Sequence, residues 1–180
     1  MKEDKSQKFR ILPSVFFDRN SLIVAKDLIG KFLVREVEGK KERYLITEVE
    51  SYEGFKDKAS HAHRGQTPRN TPMFGEPGTI YVYLTYGMHF MLNITCGKVG
   101  YPSAVLIRGT DIISGPGRLT KKLKIDKSLN VKKLSKKNGL WIEEGLNNKQ
   151  QYKIKRTPRI GVSSSGEVWS KKLYRFVLES

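Results

Sequence analysis

The chain has 180 residues, of which 38% are hydrophobic, 10% aromatic and 29% charged. That is one ordinary domain, long enough to bury a core without disulfide or metal staples, and the composition excludes a disordered or fibrous chain. Against 18 Asp and Glu stand 34 Lys and Arg, a formal net charge of +16, and such an excess points to a polyanionic partner, nucleic acid first and an anionic membrane second.

The first residues, MKEDKSQKFR, are polar and lack the apolar run of a signal peptide. They are expected to form a flexible basic arm over 1–9, ahead of a single domain over 10–180. Asn20 is placed to cap a helix over Ser21–Ile29, which Gly30 ends. Phe32–Val37 reads as a strand, Glu38–Lys41 as a turn and Tyr44–Tyr52 as a returning strand, with Leu45, Thr47 and Val49 on one face and Glu50 and Tyr52 on the other. Glu53–Pro77 is rich in Gly, Pro, His and Asn and reads as a long ordered loop, a form often tied to function. Thr79–Tyr86 and His89–Cys96 form a hairpin about Gly87-Met88, and Ser103–Thr110 is a further strand. Gly115-Pro116-Gly117 opens a basic helix over Arg118–Ile125, Lys127–Asn138 is a basic helix or loop, and Trp141–Glu144, Lys153–Val162 and Leu173–Leu178 are closing strands. The fold class is α/β: a single mixed domain, a mostly antiparallel curved sheet with peripheral helices and a protruding hairpin.

Cys96 is the sole cysteine; it cannot form an internal disulfide, which fits a reducing compartment. No apolar stretch approaches the length of a bilayer span. A cytoplasmic, nucleoid-associated location is expected. Glu50 is either a general base acting on water or a solvent-facing glutamate. His61 and His63 lie two apart, but the third histidine, His89, is remote and zinc needs three or four ligands, so loop hydrogen bonds or stacking fit better than metal. Tyr81 suits ordinary sheet packing, whereas Tyr86 at a hairpin tip is equally suited to packing or to wedging between bases. Arg108 follows the apolar run AVLI and needs a partner, for which Glu50 would serve. Asn93 is either a reader of a base edge or a partner of the backbone. The Gly-rich turn of SGPGRLTKK can offer N–H groups to an anion, although it lacks the ending of a nucleotide-binding loop.

Taken together, VESYEG, SHAHRGQTPRN, PMF, PGTIYVYLTYGM, AVLIRG, SGPGRLT and RIGVSSSGE stand in the order and spacing of one family. From about Phe9 to the C-terminus the chain resembles the alkyladenine DNA glycosylases of the mammalian 3-methyladenine type. The resemblance implies a role for each matched position. Glu50 would be the general base, with Arg108 and the Val162 carbonyl holding the attacking water. Tyr52, His61 and Tyr83 would enclose the flipped base, the His61 amide would read the purine edge, and Asn93 would clash with the amino group of normal guanine. Tyr86 would wedge into the minor groove, while Thr67, Met73 and Met88 would lie near the DNA contact surface. Two departures stand outside the catalytic set: the His61–Thr67 stretch is one residue shorter than the vertebrate pattern, and His89 stands where a tyrosine is common.

The resulting expectation is a monomeric, monofunctional enzyme, with no cofactor or metal, acting on double-stranded DNA that contains damaged purines. It would hydrolyse the N-glycosidic bond of flipped-out 3-methyladenine, 7-methylguanine, hypoxanthine or ethenoadenine in base-excision repair. Glu50, at an ordinary carboxylate pKa of about 4.3, would already be ionised at neutral pH. A non-catalytic nucleic-acid binder would share the charge and Tyr86 but would leave Glu50, Arg108 and Asn93 without a role. A membrane-surface protein would need a basic amphipathic helix that the sequence lacks.

Overall fold

Asn20 opens helix α2 (Ser21–Leu28): its Oδ1 accepts the Leu22 N–H at 2.9 Å. Gly30 then turns the chain out of the helix at a φ of +84°, a conformation that suits glycine. A single-turn helix, α1 (Ser14–Phe17), precedes it. It is too short to leave a periodic trace in the sequence and is anchored by the buried Phe17. The computed structural model describes residues 9–145 and 153–179. Of the expected arm only Phe9 falls within that range, its ring edge-on to Phe32 at 5.3 Å; the rest lies outside the described residues.

The strands are β1 (Phe32–Val37), β2 (Lys40–Glu53), β3 (Ile80–Thr85), β4 (His89–Thr95), β5 (Ser103–Thr110), β6 (Leu140–Glu143), β7 (Ile154–Thr157) and β8 (Arg175–Leu178). Their order is β3-β4-β5-β2-β1-β6, with β8 on β2 and β7 on β8, and the pairings are antiparallel. The result is one domain built on a curled sheet, the α/β class expected from the sequence. β2 is its hub. The first half of β2 pairs with β1, and the second half is flanked by β5 and β8.

The β2–β5 register is irregular about Glu48, a bulge that bends the sheet and re-aims side chains. Strict alternation over Tyr44–Tyr52 therefore fails. Ile46 and Val49, three residues apart, both face the core with Tyr44, while Leu45 and Thr47 are half-buried. Glu50 still projects opposite Val49, but not because Leu45, Thr47 and Val49 share a face.

Beyond the bulge the alternation is clean. Val49, Ile80, Val82, Leu92, Ile94, Val105 and Ile107 form the core side of the sheet, beneath α2 and α3 (Pro116–Lys122). Their neighbours Glu50, Tyr81, Tyr83, Met91, Asn93, Leu106 and Arg108 take the other face. The strand expected over Lys153–Val162 ends at Thr157, because Pro158 cannot continue a ladder. Residues 158–162 instead cross toward β2. Lys127–Asn138 forms two 3-10 turns (Lys127–Leu129, Lys136–Asn138) and a stretch that covers the β3 edge, with Ile80 N–H donating to the Lys132 carbonyl at 2.8 Å. A last single-turn helix, α4 (Glu167–Ser170), precedes β8.

Ile107 lies fully buried directly behind the Arg108 face. Ile107→Ala should lower unfolding free energy by about 2–5 kcal/mol, read as a lower urea midpoint at unchanged m-value; an unchanged midpoint would refute this packing.

Candidate active site

One row of cross-strand partners builds the site. Tyr81 pairs with Asn93, Asn93 with Leu106, Leu106 with Glu50, and Glu50 with Arg175. Five strands thus bring residues scattered along the sequence onto one face. Over them lies a cavity of about 420 Å³ whose walls include Tyr52, His61, Met73, Tyr81, Tyr83, Asn93, Arg108 and Val162. That volume lies near the lower end of the range for small-ligand sites, about 300–1,000 Å³.

Glu50 stands behind this wall with 0% of its surface exposed, so the solvent-facing reading is wrong. Its carboxylate is supplied with donors. Oε1 accepts the Ile160 N–H at 2.8 Å and faces Arg108 Nη1 at 3.4 Å, and Oε2 accepts the Tyr52 hydroxyl at 2.9 Å. Arg108 is itself tethered, its Nε donating to Glu48 Oε1 at 2.9 Å, and that oxygen also accepts Arg175 Nε at 2.7 Å.

Burial outweighs these donors. Desolvation pushes the Glu50 pKa up, against the opposing pull of Arg108, the Ile160 N–H, Tyr52 and Arg159. The ordinary carboxylate pKa expected from sequence is therefore corrected upward, because the site removes water from the charged form. Burial, with Glu50 next, also holds the Tyr52 hydroxyl well above its usual range, so it stays a donor.

The aromatic wall is built around the loop after β2. His61 meets Tyr83 edge-on at 4.6 Å, and its Nδ1 lies 3.4 Å from the Tyr81 hydroxyl. Partial burial, then nearby Arg69, lowers the His61 pKa, which keeps the ring neutral at neutral pH. The Tyr83 hydroxyl is pushed up to about 12, mainly by burial, and Arg69 lies 5.0 Å from the centre of its ring. Tyr81 packs with Ala62, Met73 and Ala104, the sheet role expected of it. His63 turns away, with Nδ1 2.9 Å from the Phe55 carbonyl. Asn93 is 4% exposed, and its Nδ2 donates to the carbonyls of Tyr81 at 3.3 Å and Met91 at 3.4 Å. Its amide nitrogen thus serves the backbone, as one of the two readings expects, while the residue lines the cavity. Met73 is buried in the wall and not on the outer surface.

Tyr86 is 86% exposed at the tip of the β3–β4 hairpin. Its φ is +50° and that of Gly87 is +68°, and Met88 N–H donates to the Thr85 carbonyl at 3.1 Å. Positive φ at both central residues is the signature of a type I′ turn. An aromatic residue in that position is strained, as is common at functional sites. Met88 is exposed beside it. Thr67 is also exposed, and its N–H donates to Asn70 Oδ1 at 2.7 Å, which ties the loop to itself.

Val162 lines the cavity, but its carbonyl already accepts the Ser165 N–H at 3.0 Å and hydroxyl at 2.6 Å. A carbonyl oxygen has two lone pairs, so a water held there must compete with Ser165. Sequence reading missed Glu48, Asp57, Arg159, Arg175 and the Ile160 amide. Only Pro158, which breaks the strand, hinted that the following residues leave the sheet.

The sequence profile described as "Methylpurine-DNA glycosylase (MPG)" matches residues 15–115 and 109–180. A protein of Methanocella arvoryzae is 42% identical over 177 residues, covering 87% of each chain. One from Sodalis glossinidius is 43% identical over 174 residues, covering 92% of this chain and 95% of its own. One from Carboxydothermus hydrogenoformans is 41% identical over 189 residues, covering 94% and 96%. All three bear the name "Putative 3-methyladenine DNA glycosylase". The chain described here belongs to the methylpurine-DNA glycosylase family, whose members act on DNA.

Proposed function

We propose that this protein is a monofunctional purine DNA glycosylase in which Glu50 activates the hydrolytic water. The observation that carries this reading is a fully buried, donor-supplied carboxylate placed behind an aromatic cavity. The substrates are flipped 3-methyladenine, 7-methylguanine, hypoxanthine and ethenoadenine nucleotides in duplex DNA.

The net charge of +16 supports salt-sensitive scanning along phosphates. Tyr86 fills the space left by the extruded nucleotide, which costs less to flip at a damaged pair. Stacking on Tyr52, His61 and Tyr83 offsets that cost by roughly 1–3 kcal/mol per base contact. Electron-rich rings and a neutral His61 favour cationic alkylated purines. Among the described residues the His61 N–H has no protein acceptor, which suits it to a purine edge. Asn93 at the cavity wall suits exclusion of normal guanine.

Oε1 of Glu50 faces two donors and Oε2 one, so of the carboxylate's roughly four acceptor positions the open one lies on Oε2. A water donating there loses its proton to Glu50 as its oxygen bonds to C1′ of the sugar. The bond from C1′ to the purine nitrogen breaks, and its electrons leave with the base. Arg108 orients the carboxylate, whose charge stabilises an oxocarbenium-like sugar.

Glu50→Gln should bind damaged duplex like wild type yet release base about 10²–10⁴-fold more slowly in single-turnover assays; near-wild-type release would end the proposal. A folded carboxylate pKa above the unfolded one means that stability is complete below the unfolded value and falls as pH rises through the folded value. Glu50→Gln should therefore melt at a higher temperature than wild type at pH 7, read by calorimetry.

The same shift sets the rate profile. Excision of a permanently cationic base should fall with acid along a limb that lies above the ordinary glutamate pKa, and a limb at or below about 4.3 would contradict the burial effect.

Among the described residues no lysine lines the cavity, which supports hydrolysis without a Schiff base. Borohydride should trap no covalent protein–DNA complex, and a trapped band on a gel would overturn the monofunctional assignment.

A further inference from the structure

Behind Tyr52 lies an ion pair that this reaction scheme leaves unused. The Arg159 and Asp57 side chains are both 0% exposed. They join through two hydrogen bonds, Nη2 to Oδ1 at 2.8 Å and Nη1 to Oδ2. Nη1 also donates to the Ser51 carbonyl at 2.9 Å, and the guanidinium lies 4.8 Å from the centre of the Tyr52 ring and 5.1 Å from that of Tyr174. Asp57 in turn accepts the N–H groups of Glu53 at 3.1 Å and Ala59 at 3.0 Å. One pair thus ties together the end of β2, the loop that carries His61, and the segment after β7.

Fold stability alone accounts poorly for this arrangement. Desolvating two charges costs free energy that apolar replacements avoid, and among the described residues Arg159 Nε is buried without a hydrogen-bond partner. Neither residue lines the cavity. The residue after Arg159 is Ile160, whose N–H reaches Glu50 Oε1 at 2.8 Å. The Ile160 side chain is half-exposed and Gly161 follows at a φ of +77°, so side-chain packing does little to hold that amide in place. The anchor is Arg159.

Resting on the glycosylase reading above, we propose that Asp57 and Arg159 are positioning residues for Glu50. The pair holds the Ile160 N–H on Oε1 and the Tyr52 ring beside Oε2, and so fixes the direction in which the carboxylate meets water. Its contribution is orientation, where small displacements cost up to about 10²-fold in rate.

The test is single-turnover base release across pH from a duplex carrying one damaged purine, comparing wild type with Asp57→Asn/Arg159→Gln. That double variant removes both charges and leaves no lone buried ion. Expected are a wild-type circular dichroism spectrum, an unchanged salt dependence of DNA binding, release slowed by up to about 10²-fold, and an acid limb displaced to higher pH. A folded variant with wild-type rate and limb overturns the proposal. If the variant does not fold, wild type decides: its Ile160 amide resonance should titrate with the midpoint of the acid limb and lose that titration in Glu50→Gln. An Ile160 amide indifferent to Glu50 overturns the proposal. Wild type that releases no damaged base would sink the glycosylase reading instead, while the Ile160 titration would still test the positioning.

Discussion

Placing an ionisable carboxylate inside a sheet costs free energy unless protein donors replace the water it loses, and much of this molecule is arranged around that requirement at Glu50. Three donors reach it from three directions: Tyr52 from the same strand, Arg108 from β5 and the Ile160 amide from the segment after β7. They do not fully compensate, and the pKa stays raised. That imbalance suits the role of base proposed for Glu50. A carboxylate satisfied as well as it would be in water has little drive to take a proton, whereas one held slightly short of donors gains basicity without losing its place.

The same requirement explains the hub strand. β2 is long enough to serve two sheet segments, and the irregularity about Glu48 lets it bend between them. Glu48, Glu50 and Tyr52 then lie on the face opposite the core. Glu48 receives Arg108 from one side and Arg175 from the other, so two guanidinium groups that would repel each other share one carboxylate. Arg108 is thereby held by its Nε, leaving Nη1 toward Glu50.

Away from the carboxylate, the hairpin sets a second constraint. β3 and β4 place alternate residues in the cavity wall and carry their tip out into solvent, where Tyr86 takes a left-handed backbone that costs energy for any residue but glycine, asparagine or aspartate. The tip is braced from behind by α3: Thr120 donates to the Phe90 carbonyl at 2.8 Å, and a Cβ on Gly117 would come within 3.0 Å of the His89 ring. The exposed aromatic thus stands on a braced hairpin, which suits the wedge proposed for it.

Much of this was legible in the amino-acid order. The Asn20 cap, β1, β5 and the β3–β4 hairpin follow from capping, alternation and turn chemistry, which are local, although the turn centres on Tyr86-Gly87 and not on the expected Gly87-Met88, and the motif series identified the family and pointed to Glu50. Other features were not legible. α1 and α4 are single turns fixed by packing, and strict alternation across β2 broke at a bulge that no residue type marks. Ile160 and Val162 suggest a strand that continues to Val162, but Pro158 ends it at Thr157. The partners of Glu50 and Tyr52 are long-range: Ile160 lies 110 residues from Glu50, and Arg159 lies 102 from Asp57. Contacts at such separations leave no periodic trace. The sequence by itself determined the charge, the hairpin, most of the strands and, through the motif series, the family. Only the tertiary structure decided that Glu50 is buried, which backbone amide reaches it and in which direction its pKa moves, because desolvation and donor geometry exist only once distant segments meet.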